Sequence, residues 1–465
     1  MSEKQNLIKE PDYGTFEEHN EASMGIQALE APRHPWTPSK TPPIAFVIVF
    51  LTLFFLALFT LYNEAVFAGR KTAIVIDAGS SHSHFTLFTW TDESDIKSIM
   101  HCTVQQGIST LDDYDVKNHL ETCLLNISRA RGLWPSSTRI FLGATAGMRH
   151  LSPATADSLM TAVRSSLQDS DFDFRDEGDA AILSGSKEGL YDWITINFLS
   201  GVNGENMGVM DMGGASCQLS YECTPTEGNC SSNTMDIYFY NKFRTIFTKS
   251  EPCYGINTAH KRYLVDLISK GFYKNKSFSK EIKDPCISYP THFKKSYLED
   301  NQCTRLMISD SSFDESYSKL SSDFTFSFIT ANSTSECTTN SLFKDCIFDN
   351  CFSDYPERPY IIDEYIGEAS LYWEFYKILG GKTSFSKLEE HIREQCQRQK
   401  ESKNHPSDCF KINFIHKLLK DGYKFDQNDD LRFADEFRDI SASWSLGFLL
   451  AKHEYFRSIL NDNPA

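Results

Sequence analysis

The pattern of apolar and polar residues shows its clearest strand character at Ala73–Ile76, a β-branched apolar run that is typical of a buried strand. Small and polar residues follow, from Asp77 through Gly79, Ser80 and Ser81 to His82, and strand character then resumes up to Phe88. The pattern predicts two strands joined by a turn whose backbone N–H groups can surround an anion the size of phosphate. By itself such a turn is a weak signal, because many glycine turns between strands are plain hairpins.

A second copy of this plan strengthens the prediction. The segment from Val209 to Leu219, with the sequence VMDMGGASCQL, again places an aspartate and a glycine directly after an apolar strand. Asp211 corresponds to Asp77, 134 residues later in the chain, and Gly213 corresponds to Gly79. Two loops of one design in one chain predict two similar half-domains that face a single ligand.

Helical patterns follow each loop. Helices are predicted over residues 116–131 and 153–167, and the apolar strand that begins at Arg139 ends in a small-residue turn, residues 143–147. Glu188 falls in the first turn of another helix, where a glutamate most often interacts with the helix dipole or with solvent.

The C-terminal half gives weaker patterns. Residues 224–345 are rich in Lys, Ser, Asp and Phe with little periodicity, which predicts a disulfide-held insertion. An aromatic helix is predicted over residues 364–379, and a polar turn that leads into an apolar helix over residues 439–450.

The run of 19 uncharged residues at 44–62 is long enough to cross a bilayer core of about 30 Å at about 1.5 Å per residue. It predicts a transmembrane signal anchor that contacts the lipid bilayer and follows a disordered cytoplasmic tail, residues 1–43. The hydrophobicity of the run argues against a buried helix, and a signal peptide cleaved before Gly69 is the alternative that stays open. The flanking charges do not decide the orientation, since Arg and Lys stand on both sides.

Composition narrows the class of protein. A chain of 465 residues is too long for one core and predicts two or three domains. The net charge of −17 argues against a nucleic-acid groove, where clustered Lys and Arg must meet phosphates, and we predict no nucleic-acid partner. The sequence leaves the oligomeric state open, and oligomerisation is compatible with it.

Cysteines and glycosylation acceptors indicate the compartment. All 13 cysteines follow the apolar run, as do four Asn-X-Ser/Thr sequons, at Asn126, Asn229, Asn275 and Asn332. Together they predict a type II topology, with the C-terminal part in an oxidising lumen or outside the cell. The pairs Cys223/Cys230, Cys346/Cys351 and Cys396/Cys409 are candidate local disulfides, and Cys217 is the predicted free thiol of the odd count. A metal cluster is the rival reading, although no cysteine or histidine run has zinc spacing.

Five stretches, read together, resemble the five apyrase-conserved regions of the ecto-nucleoside triphosphate diphosphohydrolases, in the same order and spacing. They are Ile76–His82, Gly143–Arg149, Leu183–Leu199, Met210–Gln218 and Ser441–Leu450. The resemblance covers the chain from about Lys71 to Lys452. It implies an α/β fold with two ribonuclease-H-like lobes of the actin, Hsp70 and sugar-kinase type and an active-site cleft between them. We assign residues 71–175 and 432–465 to lobe I and residues 176–431 to lobe II.

The same resemblance implies roles for individual residues. Glu188 is the expected general base, with Ser216 and Gln218 positioning the attacking water. Asp77 and Asp211 are expected to hold Ca²⁺ or Mg²⁺ through its water shell. The expected phosphate-binding residues are Ser80, Ser81, His82, Thr145, Ala146, Gly213, Gly214 and Ala215, and Trp373 and Phe414 are candidates for stacking on the base.

The resemblance thus implies metal-dependent hydrolysis of the terminal phosphates of nucleoside tri- and diphosphates to monophosphates. The sequence departs from the family pattern at Cys217, where Thr is usual, at Ser83, where Thr follows the histidine, and at Asp192, where a small Gly is usual. Two alternatives stay open, another phosphoanhydride hydrolase of the same fold, such as an exopolyphosphatase-like enzyme, and an inactive nucleotide-binding surface glycoprotein.

Overall fold

The computed structural model describes residues 43–67, 69–130, 132–201, 206–223, 230, 233–299, 302–305, 311–331, 337, 342, 364–367, 371, 382–398, 407–426, 429–434, 436–456 and 459. Residues 1–66 and 67–465 form separate compact units. The first unit is represented by helix α1, Pro43–Phe67. In the ranges given above, no helix combines the length and the apolar character that a membrane crossing requires, so the predicted anchor at 44–62 is not supported.

A five-stranded sheet forms the first half of the large unit. Its elements are β1 (Lys71–Ala78), β2 (Ser83–Trp90), β3 (Lys97–Val104), α2 (Val116–Ser128), β4 (Arg139–Ala144), α3 (Ala146–Arg149), α4 (Pro153–Gln168) and β5 (Ala180–Ile182). The strand order is β3-β2-β1-β4-β5, with β1 antiparallel to β2 and parallel to β4. The predicted strands around Asp77 and the helices predicted from residues 116 and 153 are confirmed.

A seven-stranded sheet forms the second half. The elements that follow β5 are α5 (Gly185–Ser200), β6 (Met207–Met212), β7 (Ser216–Cys223), β8 (Thr234–Phe239), β9 (Lys242–Pro252), α6 (Ile256–Asn275), β10 (Glu281–Asp284), β11 (Thr291–Lys294), α7 (Lys295–Leu298), α8 (Gln302–Arg305), α9 (Ser311–Ser318), β12 (Thr325–Thr330), β13 (Glu364–Gly367), β14 (Lys382–Ser384), α10 (Phe385–Arg398), α11 (Asp408–Lys417), β15 (Asp430–Phe433), β16 (Glu436–Phe437), β17 (Ile440–Ser441) and α12 (Trp444–Lys452). The order is β14-β15-β13-β6-β7-β9-β8.

The two sheets share one topology. Strands β9-β7-β6-β13-β15 repeat the order and strand directions of β3-β2-β1-β4-β5, so β6 corresponds to β1 and β7 to β2. The predicted internal repeat is therefore confirmed at the level of strand order. The lobe limits themselves stay predictions, but β15 spans the limit set at 431/432 and pairs wholly within the second sheet.

Two predictions for the second half are wrong in their bounds. Residues 364–367 form β13 instead of the start of a helix, because Tyr365 and Ile366 are buried in parallel pairing with β6 and β15. A short apolar run cannot be distinguished from a helical segment by periodicity alone. The insertion also begins later than residue 224, since β8 and β9 complete the main sheet, whereas β10, β11 and β12 form a separate three-stranded sheet. Half-exposed edge strands such as β8 give the weak pattern that suggested otherwise.

Disulfides stabilise this part of the molecule. Bridges join Cys102–Cys123, Cys223–Cys230, Cys253–Cys303, Cys286–Cys337 and Cys396–Cys409. Two of the three predicted local pairs are thus confirmed, and Cys346/Cys351 lies outside the described residues. Cys217 is free and buried as predicted, and it accepts a hydrogen bond from the Tyr423 hydroxyl at 3.2 Å.

Helix α5 is held against helix α12 by a close backbone crossing. A Cβ atom at Gly447 would lie 2.1 Å from the carbonyl oxygen of Tyr191, so only glycine permits this approach. The Thr195 hydroxyl donates to the Ser443 carbonyl and accepts from the Gly447 N–H, each at 2.8 Å. This crossing fixes the N-terminal turn of α5, which carries Glu188, relative to the first sheet.

Candidate active site

The two predicted loops lie close together. A Cβ atom at Gly214, in the β6–β7 loop, would lie 2.7 Å from Ser80 Oγ in the β1–β2 loop. Ser80 is itself closely packed, because a Cβ at Gly107 would lie 2.5 Å from its carbonyl oxygen and one at Gly147 would lie 2.8 Å from its Cα. The loops can therefore bind one small ligand from opposite sides.

A cleft of about 580 Å³ opens between the loops. Every predicted metal- and phosphate-binding residue lines it, together with Glu188 and Ser216. Thr145 is buried where β4 ends, and its N–H donates to the carbonyl of Ala78 at 3.2 Å. The carboxyl ends of β1, β4 and β6 thus meet at the cleft, as expected for ligand sites in sheets of this kind.

Glu188 lies at the centre of a hydrogen-bond network. The Ser184 hydroxyl caps α5 by accepting from the Lys187 N–H, so Glu188 lies in the first helical turn as predicted. Its side chain is only 7% exposed, and Oε2 accepts from Arg149 Nη1 at 2.7 Å and from Gln218 Nε2 at 3.1 Å. A solvated charge is therefore the wrong interpretation of Glu188. Among the described residues, no group hydrogen-bonds its Oε1.

Ser216 and Gln218 belong to the same network. Arg149 Nη2 donates to Ser216 Oγ at 3.0 Å, and Gln218 Nε2 lies 2.9 Å from the same oxygen and 3.1 Å from Ser250 Oγ. Gln218 is 1% exposed, and its Oε1 has no hydrogen-bond partner in the part of the chain that the structure describes. An unsatisfied buried carbonyl next to the cleft can accept a hydrogen bond from a water molecule.

Arg149 and Ser250 are missing from the sequence-based site. Arg149 closes one of the five motifs, and its guanidinium also donates to the Leu183 carbonyl at 2.9 Å, which joins three motifs through one side chain. A buried carboxylate needs a positively charged partner. If Glu188 is assumed to be buried, this need suggests a nearby arginine such as Arg149. Ser250, on β9, has no sequence signal, because its contact with Gln218 depends on the β7–β9 pairing.

Three buried carboxylates lie around the cleft, and burial raises the pKa of each. Burial raises the pKa of Asp77 well above its usual value, and the charges of Glu188 and Asp211 add to the effect. Burial and the charge of Glu188 raise the pKa of Asp211 to about 7. Burial also raises the pKa of Glu188, against the opposing charge of Arg149. Arg149 offsets only part of the negative charge of these three groups, and carboxylate oxygens are the ligands that Ca²⁺ and Mg²⁺ prefer, so the residues fit a divalent cation.

Some predictions find no support at this site. Phe414 is fully buried in the core of the second half, where it stacks on Phe410, so it has no exposed face for a base. Trp373 lies outside the described residues, as do the sequons at Asn229 and Asn332, whereas Asn126 and Asn275 are exposed.

Further residues that line the cleft carry no sequence-based role, namely His84, His101, Asp192, Asn257, Lys411, Glu436 and Trp444.

The rival interpretation of the cysteines as metal ligands fails where it can be examined. His150, Cys253 and Cys303 bring their potential ligand atoms within 4.8 Å of one another. Both cysteines, however, are joined in a disulfide and offer no thiolate to a metal.

Fold and site together define a mixed α/β protein with two sheets of one topology, two opposed loops and a buried glutamate. The sequence pattern of the GDA1/CD39 (nucleoside phosphatase) family matches residues 65–460, and the chain belongs to this family. The predicted family and the predicted enzyme class, a nucleoside triphosphate diphosphohydrolase or apyrase, are thereby confirmed.

Individual relatives agree with this assignment. The chain is 28% identical to ectonucleoside triphosphate diphosphohydrolase 3 of Mus musculus, over 92% of this chain and 86% of the relative. It is 28% identical to ectonucleoside triphosphate diphosphohydrolase 1 of Bos taurus, over 88% of this chain and 86% of the relative. A solved nucleoside triphosphate hydrolase from Neospora caninum has the same fold, with a TM-score of 0.60 at 12% identity over 88% of this chain and 98% of that one.

Proposed function

We propose that this protein hydrolyses the terminal phosphoanhydride bonds of nucleoside tri- and diphosphates to monophosphates, using a divalent cation and a water molecule activated by Glu188. The observation that carries the proposal is the single network of Glu188, Arg149, Ser216 and Gln218 between two opposed loops. Phosphoryl transfer needs little covalent chemistry from a protein and much positioning, which this arrangement supplies.

Glu188 acts as the general base in this proposal. Both hydrogen bonds to its carboxylate fall on Oε2, so Oε1 is the atom that takes a proton from the attacking water. As the water oxygen bonds to the terminal phosphorus, the bond from that phosphorus to the bridging oxygen breaks, and the shortened nucleotide leaves with the electron pair. Ser216 Oγ and the Oε1 of Gln218 orient the water.

Asp77 and Asp211 would hold the cation, Ca²⁺ or Mg²⁺, through its water shell. When bound, the cation neutralises charge on the phosphate oxygens and on the carboxylates themselves. The N–H groups and hydroxyls of the two loops then bind the remaining phosphate oxygens, and Gly214 allows the loop backbone to approach Ser80 closely enough to do so.

The catalytic unit would work in an oxidising environment, outside the cell or in a lumen. Five disulfides in the described part of the chain and the exposed acceptors Asn126 and Asn275 support this placement. Loss of apparent mass after treatment with an N-glycosidase tests it, and an unchanged mass would count against it.

The decisive experiment is phosphate release by Glu188→Gln. The amide keeps the hydrogen bonds to Oε2 but cannot take a proton, so we expect turnover to fall by about 10²–10⁴-fold while nucleotide binding is retained. Wild-type protein is assayed in parallel with ATP, ADP, UDP and inorganic polyphosphate, with Ca²⁺ or with chelator. Full activity of the variant would refute the proposed base. Hydrolysis of polyphosphate alone would indicate the exopolyphosphatase-like alternative, and binding without turnover would indicate an inactive nucleotide-binding protein.

A further inference from the structure

Two histidines form a close pair on the wall of the cleft, and one of them, His84, lies opposite Asp77 in the β1–β2 register. His84 is on β2 and His101 on β3, and both side chains line the cleft. In the antiparallel register, His84 lies opposite Thr103 and His101 opposite Thr86, so the two histidines are diagonal neighbours on one face of the sheet. His84 Nε2 and His101 Nδ1 are 3.2 Å apart.

This separation matches the needs of a tetrahedral metal ion. Two imidazole nitrogens that bind one Zn²⁺ at about 2.0–2.1 Å and at the tetrahedral angle lie about 3.3 Å from each other. The ordinary alternative, a hydrogen bond between the rings, has the same separation and requires a proton between the two nitrogens. The distance between the two ring nitrogens therefore suits either a proton or a metal ion shared between them.

Neighbouring groups favour the form of the rings that binds metal. His84 Nδ1 lies 2.8 Å from the Thr103 hydroxyl, so an Nδ1–H that donates there leaves the Nε2 lone pair directed to His101. Burial, together with the charges of His101 and His82, lowers the pKa of His84 to about 4. Burial also lowers the pKa of His101, against the charge of Glu436.

Two neighbouring side chains could provide further ligands to the metal ion. His82 lies two residues from His84 and lines the same cleft, and the carboxylate of Glu436 acts on His101 from β16. Both side chains are exposed and can rotate to complete a coordination shell that the two rings begin.

We propose that His84 and His101 bind a divalent transition-metal ion of the Zn²⁺ type at a second site in the cleft. Imidazole suits Zn²⁺, Cu²⁺ and Ni²⁺, whereas the carboxylates of Asp77 and Asp211 suit Mg²⁺ and Ca²⁺. The cleft therefore holds two cation sites of different chemistry. If the proposed hydrolysis is correct, on which this second step rests, Zn²⁺ at the pair narrows the access of nucleotide and inhibits the reaction.

The test is Zn²⁺ binding, measured by isothermal titration calorimetry on the 465-residue chain without a polyhistidine tag. Excess Mg²⁺ is present throughout, so that it occupies the carboxylate site and leaves the imidazoles free. The variants are His84→Ala and His101→Ala. His292→Ala is the matched control, because His292 also lies on an antiparallel strand and contacts a hydroxyl across it, that of Ser327 at 2.9 Å, far from the cleft.

We expect saturable binding of one Zn²⁺ by the wild type and by His292→Ala, and affinity reduced on the order of 10–100-fold in each of the other variants. Absence of binding, binding that neither variant weakens, or a loss in only one of them would overturn the proposal. Because His101 lies on the edge strand β3, His101→Ala remains informative even if His84→Ala does not fold. Phosphate release is measured separately, with and without Zn²⁺. If no phosphate is released even without Zn²⁺, the proposed hydrolysis is wrong, and the result says nothing against the metal site.

Discussion

The replacement of Arg149 by methionine tests how the network sets the protonation of Glu188. Arg149 lies 2.7 Å from the carboxylate, and the two side chains are 18% and 7% exposed. At an effective dielectric constant of about 20, two charges about 4 Å apart interact by about 4 kcal/mol. Removal of one partner of a buried pair costs about 3–5 kcal/mol, since the other charge stays behind uncompensated.

The variant avoids most of this cost because Glu188 becomes protonated and loses its charge. Because a tenfold change in ionisation corresponds to about 1.36 kcal/mol, the loss of Arg149 disfavours the carboxylate by a factor on the order of 10²–10³. Burial already raises the pKa of Glu188 and Arg149 opposes that rise, so the variant's pKa moves further upward. A base must be ionised to act, and the acid limb of the activity profile therefore shifts to higher pH in Arg149→Met.

The assay is phosphate release across a pH series at saturating nucleotide and cation. Arg164→Met is the matched control, because Arg164 is another partly buried arginine, whose Nε and Nη2 donate to the Ala180 carbonyl at 3.2 and 3.1 Å. We expect the control to keep the wild-type pH profile. A lower rate with an unshifted acid limb would refute the reasoning, because it would mean that Arg149 acts on substrate alone and not through Glu188.

Two further predictions concern the loops and the cation. Gly214→Ala places a Cβ 2.7 Å from Ser80 Oγ and 3.0 Å from Asn257 Nδ2, so kcat/KM should fall on the order of 10²-fold through displaced loops. Gly271→Ala, where a Cβ meets nothing within 4 Å, should keep wild-type kinetics, and equal behaviour of the two variants would contradict the account. With chelator present, the free energy of unfolding should fall as the pH rises from about 4 to about 7. An unfolded aspartate has a pKa of about 4 and loses its proton over this range, whereas folded Asp211, with a pKa of about 7, keeps it. Mg²⁺ at a hundred times its Kd should stabilise the ionised protein by about 2.7 kcal/mol in thermal unfolding at pH 8, and no effect of Mg²⁺ there would exclude the carboxylate site.

The sequence was most informative where chemistry depends on local order. The two loops, the strands beside them and the position of Glu188 in a first helical turn were all predictable, because a run such as Ala73–Ile76 or a cap such as Ser184 acts within a few residues. The resemblance to a known family added the roles, which no periodicity could supply.

The sequence was least informative where a contact depends on tertiary packing. Arg149 reaches Glu188 across 39 residues, and Ser250 reaches Gln218 only because β9 pairs with β7. Phe414 has the aromatic character of a stacking residue, yet its position on α11 directs it into the core. Burial of a side chain is a property of the whole fold, so aromatic character alone could not separate these outcomes.

The repeated topology explains why the chemistry is divided between two halves. Each half ends its first strand in an aspartate and a turn, which under the proposed function would supply one side of a cation and phosphate site but no base. Helix α5 follows the first sheet and packs against the second, so Glu188 is presented to both loops at once, and Arg149 links it to Ser216 of the second loop. Burial raises the pKa of all three carboxylates, and the charge of Glu188 raises the pKa of Asp77 and of Asp211 further, so under the proposed function a bound cation would favour their ionised forms.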